Sequence, residues 1–160
     1  RKYDTAGYEK AVEILRKYFP DVAITTDIIA GFPDETDEDF EKSLEFAKKI
    51  GFAKIHAFPY SPKRGTPAAV MPNQIHNAVK NERTSKLIEA SDHMADEFIK
   101  RFEGRVMPVL YEREIEPGIY EGYTTNYIRV LSKSGENVRN KILDTEILSS
   151  EDEKAHGRIL

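Results

Sequence analysis

TTDIIAGFPDET, residues 25–36, carries a β-branched run straight into a Gly/Pro turn and on to a threonine placed to cap a helix. With the residues before it, the run reads VAITTDIIA over 22–30, too short and too threonine-rich to prefer helix, and is expected to be a buried parallel strand. Thr36 with Asp39 three residues on is a variant capping box, and Phe40, Leu44, Ala47 and Ile50 carry an amphipathic helix to a C-cap at Gly51. Upstream, Tyr8, Ala11, Val12, Leu15, Tyr18 and Phe19 recur at three- and four-residue steps, predicting a helix with one buried face that ends before Pro20. Downstream, FAKIHAFPY over 52–60 is a second strand, and SPKRGTPAAVMP over 61–72 is an irregular loop. Helix, strand, helix, strand is an α/β unit. Right-handed crossovers then give parallel strands covered by helices, as in part of a (β/α) barrel or a doubly wound sheet.

Residues 74–102 predict one long helix with Leu87, Ser91, Met94, Ala95, Phe98 and Phe102 along a stripe, and Gly104 lies just beyond. After it the pattern changes to short strand-like runs at 106–111, 120–123, 127–131 and 141–148, separated by EPG, TTN and SGE turns, which predicts a small antiparallel β-barrel. The expected domains are residues 1–103 and 104–160, with the boundary at about 101–105.

Composition narrows the function. The chain has 160 residues, 39 % apolar and 32 % charged, with no apolar run of transmembrane length and no signal peptide; the cytoplasm is the expected location and a membrane is not an expected partner. Its length suits one good core or two small ones and is short for a complete cofactor enzyme, and a first residue Arg1 in place of Met favours an excised piece. There is no cysteine, so no disulfide, thiolate-held metal or cluster can form within these residues. A formal net charge of −4 makes no global case for nucleic acid, so any RNA role must rest on a local patch.

The strand-to-turn segment at 25–36 is the first candidate site, because ligands in such folds sit at the carboxyl ends of parallel strands. The plainer reading is an ordinary βα-turn, with Gly31 supplying positive φ and Glu35 favouring the helix dipole. The second segment, KIHAFPYSPKRGTPAA over 54–69, also ends a strand in a polar, cationic loop, and His56, Phe58 and Tyr60 alternate onto one face. His56 has no second histidine or carboxylate at a metal-ligand spacing, so no protein metal site is expected.

TTDIIAGFPDETDEDF, then GFAKIHAFPYSPKRGTPAA, a long ERxxxLIE helix and EGYTTNYIRV together resemble, in order and over nearly the whole chain, the C-terminal half of the radical-SAM methylthiotransferases of the MiaB/MtaB/RimO family. The KIHAFPYS version is most similar to the MtaB branch, whose members act on threonylcarbamoyladenosine in tRNA. The resemblance implies a radical-SAM partial TIM barrel followed by a TRAM domain of OB-like kind, adding a methylthio group to the modified adenosine beside the anticodon. It implies S-adenosylmethionine and two 4Fe-4S clusters in the full-length parent, with every cluster cysteine outside this chain, so that the chain alone is inactive and has no catalytic residue of its own. By the family pattern residues 22–31 are the fifth barrel strand and 53–60 the sixth, with Arg1 just past the fourth.

Carried over by position, Ile29, Gly31, Phe32, Pro33 and Glu35 match the fifth-strand motif that flanks the adenine of S-adenosylmethionine. Thr26 and Asp27 offer polar contacts at the strand end, and His56, Phe58, Tyr60 and Ser61 match the sixth-strand lining. Asp34 stands where the family usually has Gly, and Lys63 where it usually has Arg in a YSxRxGT pattern. Asp34 is poorly suited to a turn that needs positive φ, and Lys63 lacks Arg's bidentate reach. In the TRAM-like part the candidate RNA contacts are Arg105, Tyr123, Asn126, Tyr127, Arg129, Lys133, Arg139 and Lys141, against the alternative that Tyr123 and Tyr127 pack the barrel core. Glu112, Glu114, Glu116 and Glu121 argue that one face avoids RNA.

Two other readings stay open: a stand-alone TRAM-type RNA-binding module stiffened by its α/β half, and a RimO-type enzyme acting on a ribosomal protein. The expected partners are the anticodon stem-loop of a tRNA and the N-terminal half of the same barrel. Without that half, Val22, Ile24, Ile28 and Ile29 lie on a bare strand edge, and self-association through it is expected.

Overall fold

The turn after residue 30 is built as the spacing of Thr36 and Asp39 predicts: Thr36 Oγ1 accepts the Asp39 N–H at 3.1 Å while Asp39 Oδ2 accepts the Thr36 N–H at 3.1 Å. A helix thus starts with two of its otherwise unpaired donors satisfied. The computed structural model describes residues 3–160; the expectation attached to Arg1 lies outside them. In chain order the elements are α1 (Thr5–Tyr18), β1 (Thr25–Ala30), α2 (Asp37–Ile50), β2 (Lys54–Pro59), a 3-10 turn (Pro67–Val70), α3 (Asn77–Lys100), β3 (Val106–Glu116), β4 (Ile119–Thr124), β5 (Arg129–Lys133), β6 (Lys141–Glu151) and β7 (Lys154–Ile159). No helix among the described residues is long and apolar enough to cross a membrane. The chain divides into two units, one of the residues up to Glu13 with Ile24–Met94, the other of Ile14–Ala23 with Ala95–Leu160.

In the first unit β1 and β2 pair in parallel, from Thr25 beside Lys54 to Ala30 beside Pro59. One face packs on Phe40, Leu44, Ala47 and Ile50 of α2 and on Leu87, Ala90 and Met94 of α3, with Ala30 and Ile55 inside. Ser91, in the apolar stripe of α3, is buried there for a reason: its hydroxyl accepts the Ile55 N–H at 2.9 Å and donates to the Ile55 carbonyl at 3.3 Å. One helix side chain therefore completes the backbone bonding of β2. The strand at 22–30 starts three residues later than expected, at Thr25, and among the described residues no strand pairs with the outer edge of β1. The buried face predicted for α1 holds only in part, since Val12 is buried while Leu15, Tyr18 and Phe19 are exposed.

The second unit is a closed barrel in the order β3-β4-β5-β7-β6. The barrel was expected, but β7 was not, and it joins β5 in parallel, so the sheet is mixed where an antiparallel one was predicted. Met107, Val109, Tyr111, Tyr120, Val130, Ile147 and Ala155 fill the interior. The Tyr111 hydroxyl donates to Ser132 Oγ at 2.7 Å and lies 2.9 Å from Thr145 Oγ1, so this buried polar tip is satisfied from two strands. Gly157 lets β7 close the ring: a Cβ there would stand 2.5 Å from Thr145 Cγ2 and 2.9 Å from Val130 Cγ1.

Glu121 is the buried charge of the barrel. It is 2 % exposed and is gripped by Arg113 (Nε 2.9 Å, Nη2 2.8 Å) and by Arg129 through Nε at 2.5 Å and Nη2. Burial would push this carboxyl up, but the hydrogen bonds and charges of Arg129 and Arg113 outweigh it and hold it below the ordinary range. A depressed folded value means that the stabilisation is complete above the unfolded value, about 4.3, and is lost as pH falls through the folded one. Glu121→Gln should cost about 2 kcal/mol at pH 7, modest because both guanidiniums keep part of their surface in water. Thermal melts from pH 7 to 2.5 should show the gap between wild type and variant closing below about pH 4; a gap that does not change with pH would contradict the assignment.

Candidate functional site

Because side chains alternate along a strand, residues paired across β1 and β2 share a face. Thr25, Asp27 and Ile29 of β1 and His56 and Phe58 of β2 point away from the helices and are exposed, with Asp27 beside His56 and Ile29 beside Phe58. Ile29 is 55 % and Phe58 52 % exposed, an apolar pair left open between polar neighbours at the carboxyl ends of two parallel strands. Thr26 does not join them. It pairs with Ile55 on the opposite face and lines a groove of about 460 Å³ along β1 with Tyr8, Ile28, Phe46 and Phe52.

Beyond the strand ends the chain forms a fixed cluster. Gly31 has φ +75° and donates its N–H to Glu35 Oε1 at 3.0 Å. A Cβ at Gly31 would lie 2.5 Å from Lys80 Cγ, so the bare backbone admits a lysine stem from α3. Phe32 packs edge-on against Tyr60 at 5.2 Å, and the Lys80 ammonium stands 5.4 Å above the Tyr60 ring. The Tyr60 hydroxyl is enclosed, with no hydrogen-bond partner among the described residues. Pro33 is buried in the turn, while Ser61 and Lys63 are exposed on the loop. Asp34 does adopt positive φ, at 70°, and is held there by Asn73, whose Nδ2 donates to Asp34 Oδ1 at 2.6 Å and whose carbonyl accepts the Asp34 N–H at 3.2 Å.

Arg83 closes this cluster. Its Nη1 donates to Glu35 Oε1 at 2.6 Å and to the Glu35 carbonyl at 3.1 Å, and its Nη2 to Asp37 Oδ1 at 2.7 Å, with the side chain 6 % exposed. Burial would lower the guanidinium pKa; the bonds to Asp37 and Glu35 raise it above its ordinary value. Neither Lys80 nor Arg83 was anticipated. The signal was present, because stepping back from Leu87 along the buried stripe by three and four residues reaches Thr84, Arg83 and Lys80.

In the barrel unit the candidate RNA contacts separate. Arg105 is bidentate to Asp21 at 2.9 and 2.6 Å, Arg129 is bonded to Glu121, and Asn126 accepts from Thr124 Oγ1 at 2.6 Å and donates to the Asp21 carbonyl at 2.9 Å. Tyr127 is exposed and Tyr123 half-buried, so neither packs the core. Lys133, Arg139 and Lys141 are exposed. Of the acidic residues expected to repel RNA, Glu121 is instead internal and neutralised.

The chain is 38 % identical over 154 residues to the threonylcarbamoyladenosine tRNA methylthiotransferase MtaB of Bacillus subtilis, a match covering 94 % of this chain and 34 % of that protein. Its homologues are tRNA methylthiotransferases. The tRNA-2-methylthio-N(6)-dimethylallyladenosine synthase of Aquifex aeolicus is 37 % identical over 160 residues, 100 % of this chain and 36 % of that protein. The MtaB of Thermotoga maritima is 36 % identical over 165 residues, 99 % of this chain and 38 % of that protein. The chain therefore spans about a third of the length of the curated relatives it matches. No protein-family model matches it.

The cluster makes a sharp contrast between neighbouring positions. Gly31→Val meets both the Lys80 stem and the strain of positive φ and should cost about 2–3 kcal/mol. Asp34→Gly relieves positive φ and loses the Asn73 bond, two opposed effects of about 1 kcal/mol each, so its net change should be small. Urea titrations of both variants measure this, and equal destabilisation would show that the Lys80 contact does not matter.

Proposed function

We propose that the chain is the C-terminal portion of a radical-SAM tRNA methylthiotransferase, with residues 1–103 completing the half-barrel and 104–160 forming a TRAM-type RNA-binding domain. The observation that carries the catalytic part is the open face of Asp27, Ile29, His56 and Phe58: an apolar floor with polar groups at its rim, at the carboxyl ends of parallel strands, suits S-adenosylmethionine. When bound, that molecule supplies the methyl group and the radical chemistry. Ile29 and Phe58 would lie against its adenosine, and Asp27 and His56 would offer hydrogen bonds. The Glu35–Arg83 pair holds the turn that follows β1. The 4Fe-4S clusters do not fit this chain: it has no cysteine, and among the described residues no three His, Asp or Glu gather into a metal site. No step of cluster chemistry runs through these residues.

The named relatives act on adenosines carrying a threonylcarbamoyl or a dimethylallyl group in tRNA, and the KIHAFPYS stretch favours the former for this chain. The groove beside β1, floored by Ile28, Phe46 and Phe52, is in this reading where the preceding barrel strand lies, and self-association of the isolated chain would use the same edge.

Titrating S-adenosylmethionine into the full-length enzyme tests the site. Ile29→Asp and Phe58→Asp should each weaken binding by roughly tenfold or more, whereas the 160-residue chain alone should form no 5′-deoxyadenosine. Unchanged affinity in both variants would overturn the cavity reading. The chain should also bind tRNA weakly, with log affinity falling by about 0.7–0.9 per neutralised phosphate per unit of log salt; tight, salt-independent binding in filter assays would contradict the barrel's assignment.

A further inference from the structure

Tyr127 is an aromatic residue held where neither burial nor backbone preference puts one. Its φ of 63° lies in the left-handed region, and its side chain is 84 % exposed. The turn that carries it is fixed on several sides. Tyr127 donates its N–H to the Thr124 carbonyl at 3.0 Å, Thr124 its own to the Ile128 carbonyl at 3.0 Å, and Ile128 its own to Thr124 Oγ1 at 2.9 Å. Asn126 ties the turn to the Asp21 carbonyl. A rigid frame holds a strained, solvent-facing ring in place.

Two grooves meet at that ring. One, of about 530 Å³, runs between residues 18–23 and 125–127 and includes Tyr18, Phe19 and Val22. The other, of about 490 Å³, is walled by Pro108, Leu110, Tyr123 and Ile142, with Glu112 also lining it. Thr125 and Tyr127 line both, so the tyrosine is a partition with a groove on either side. Tyr18 and Phe19 are 69 % and 61 % exposed, which gives the first groove two more aromatic side chains.

Cations flank this first groove. Arg101 donates to the Pro20 carbonyl at 2.9 Å and stacks on Phe98 and Phe102 at 5.4 and 5.8 Å, and among the described residues no carboxylate bonds it. Arg105 sits 4.9 Å over the Phe102 ring while holding Asp21, and Lys17 lies 5.8 Å from the Tyr18 ring. Arg16 is close enough to Arg101 that, after burial, that neighbouring charge lowers its pKa. Asp21, the carboxylate among the residues lining this groove, is taken by Arg105. Exposed aromatic faces with arginines bonded to the groove's own residues suit an unpaired nucleic-acid strand better than a second copy of this acidic chain.

We propose that Tyr127 is the stacking wall of a two-groove site for unpaired RNA bases, with Tyr18 and Phe19 lining the first groove and Arg101 taking an adjacent phosphate. The inference rests on the RNA-binding reading of the barrel and deepens it by naming the site and the form of the ligand. The test uses the 160-residue chain and a single-stranded RNA octamer containing 2-aminopurine, read by fluorescence quenching and anisotropy beside thermal melts. Tyr127→Gly is the informative variant, since glycine accepts the positive φ: its melting temperature should stay close to wild type while affinity falls roughly tenfold and quenching is lost. Tyr127→Phe should keep both. Arg101→Gln should reduce the slope of log affinity against log salt by about 0.7. If Tyr127→Gly binds and quenches as wild type does, the proposal is overturned and the barrel's RNA role stands. If the wild-type chain binds no RNA at all, both fall. If Tyr127→Gly changes the sedimentation of the chain and not its RNA affinity, the grooves hold a second copy and the proposal fails.

Discussion

A guanidinium buried on a helix needs acceptors, and the way Arg83 finds them organises the end of β1. It takes both a side-chain and a main-chain oxygen of Glu35 together with Asp37, which ties the first turn of α2 to the middle of α3. Glu35, fixed in this way, accepts the Gly31 N–H and so sets where the chain leaves the strand. Gly31 in turn leaves room for the Lys80 stem, whose ammonium covers Tyr60, and Tyr60 packs against Phe32. Each contact fixes the next, and the result is a rim built entirely from protein. The open face of Ile29 and Phe58 keeps its shape because this rim is satisfied without it.

The barrel solves a similar problem with opposite signs. There the buried group is an acid, Glu121, and two arginines from β3 and β5 reach it from neighbouring strands. The carboxylate is better described as a strap across β3, β4 and β5 than as part of an acidic surface, and this removes one of the charges that would repel RNA. The same bonds occupy Arg129. Cations counted from sequence are therefore poor guides to which ones remain for a ligand.

What could be read beforehand was local. The capping box at Thr36, the four buried positions of α2 and the stripe of α3 from Leu87 to Phe102 follow from periodicity and cap chemistry, which act within a few residues. Strand β7 escaped because KAHGRI offers no apolar alternation, with only Ala155 fully buried, and its place depends on a close approach at Gly157 that no neighbouring residue announces. The exposed Leu15, Tyr18 and Phe19 show the complementary limit: spacing identifies a helix face, not what covers it. At the candidate site, alternation along β1 alone separates Thr26 from Asp27, but which of the two faces is open depends on where the helices pack. The partners of Arg105 and Arg83 lie 84 and 46–48 residues away, beyond the reach of any motif.

Two residues in left-handed backbone, Asp34 and Tyr127, show how strain can be sorted by what relieves it. Aspartate tolerates that region because its short side chain can bond locally, and Asp34 does bond to Asn73, so its strain is offset inside the fold and calls for nothing more. Tyrosine has no such recourse. At Tyr127 every bond that fixes the turn involves main chain or the side chains of Thr124 and Asn126, and the ring takes no part. A fold selected for stability alone would place Gly or Asn at this position, since either accepts the conformation at lower cost. An aromatic ring kept there, exposed between two grooves, is better explained by what it presents to solvent than by what it contributes to the barrel.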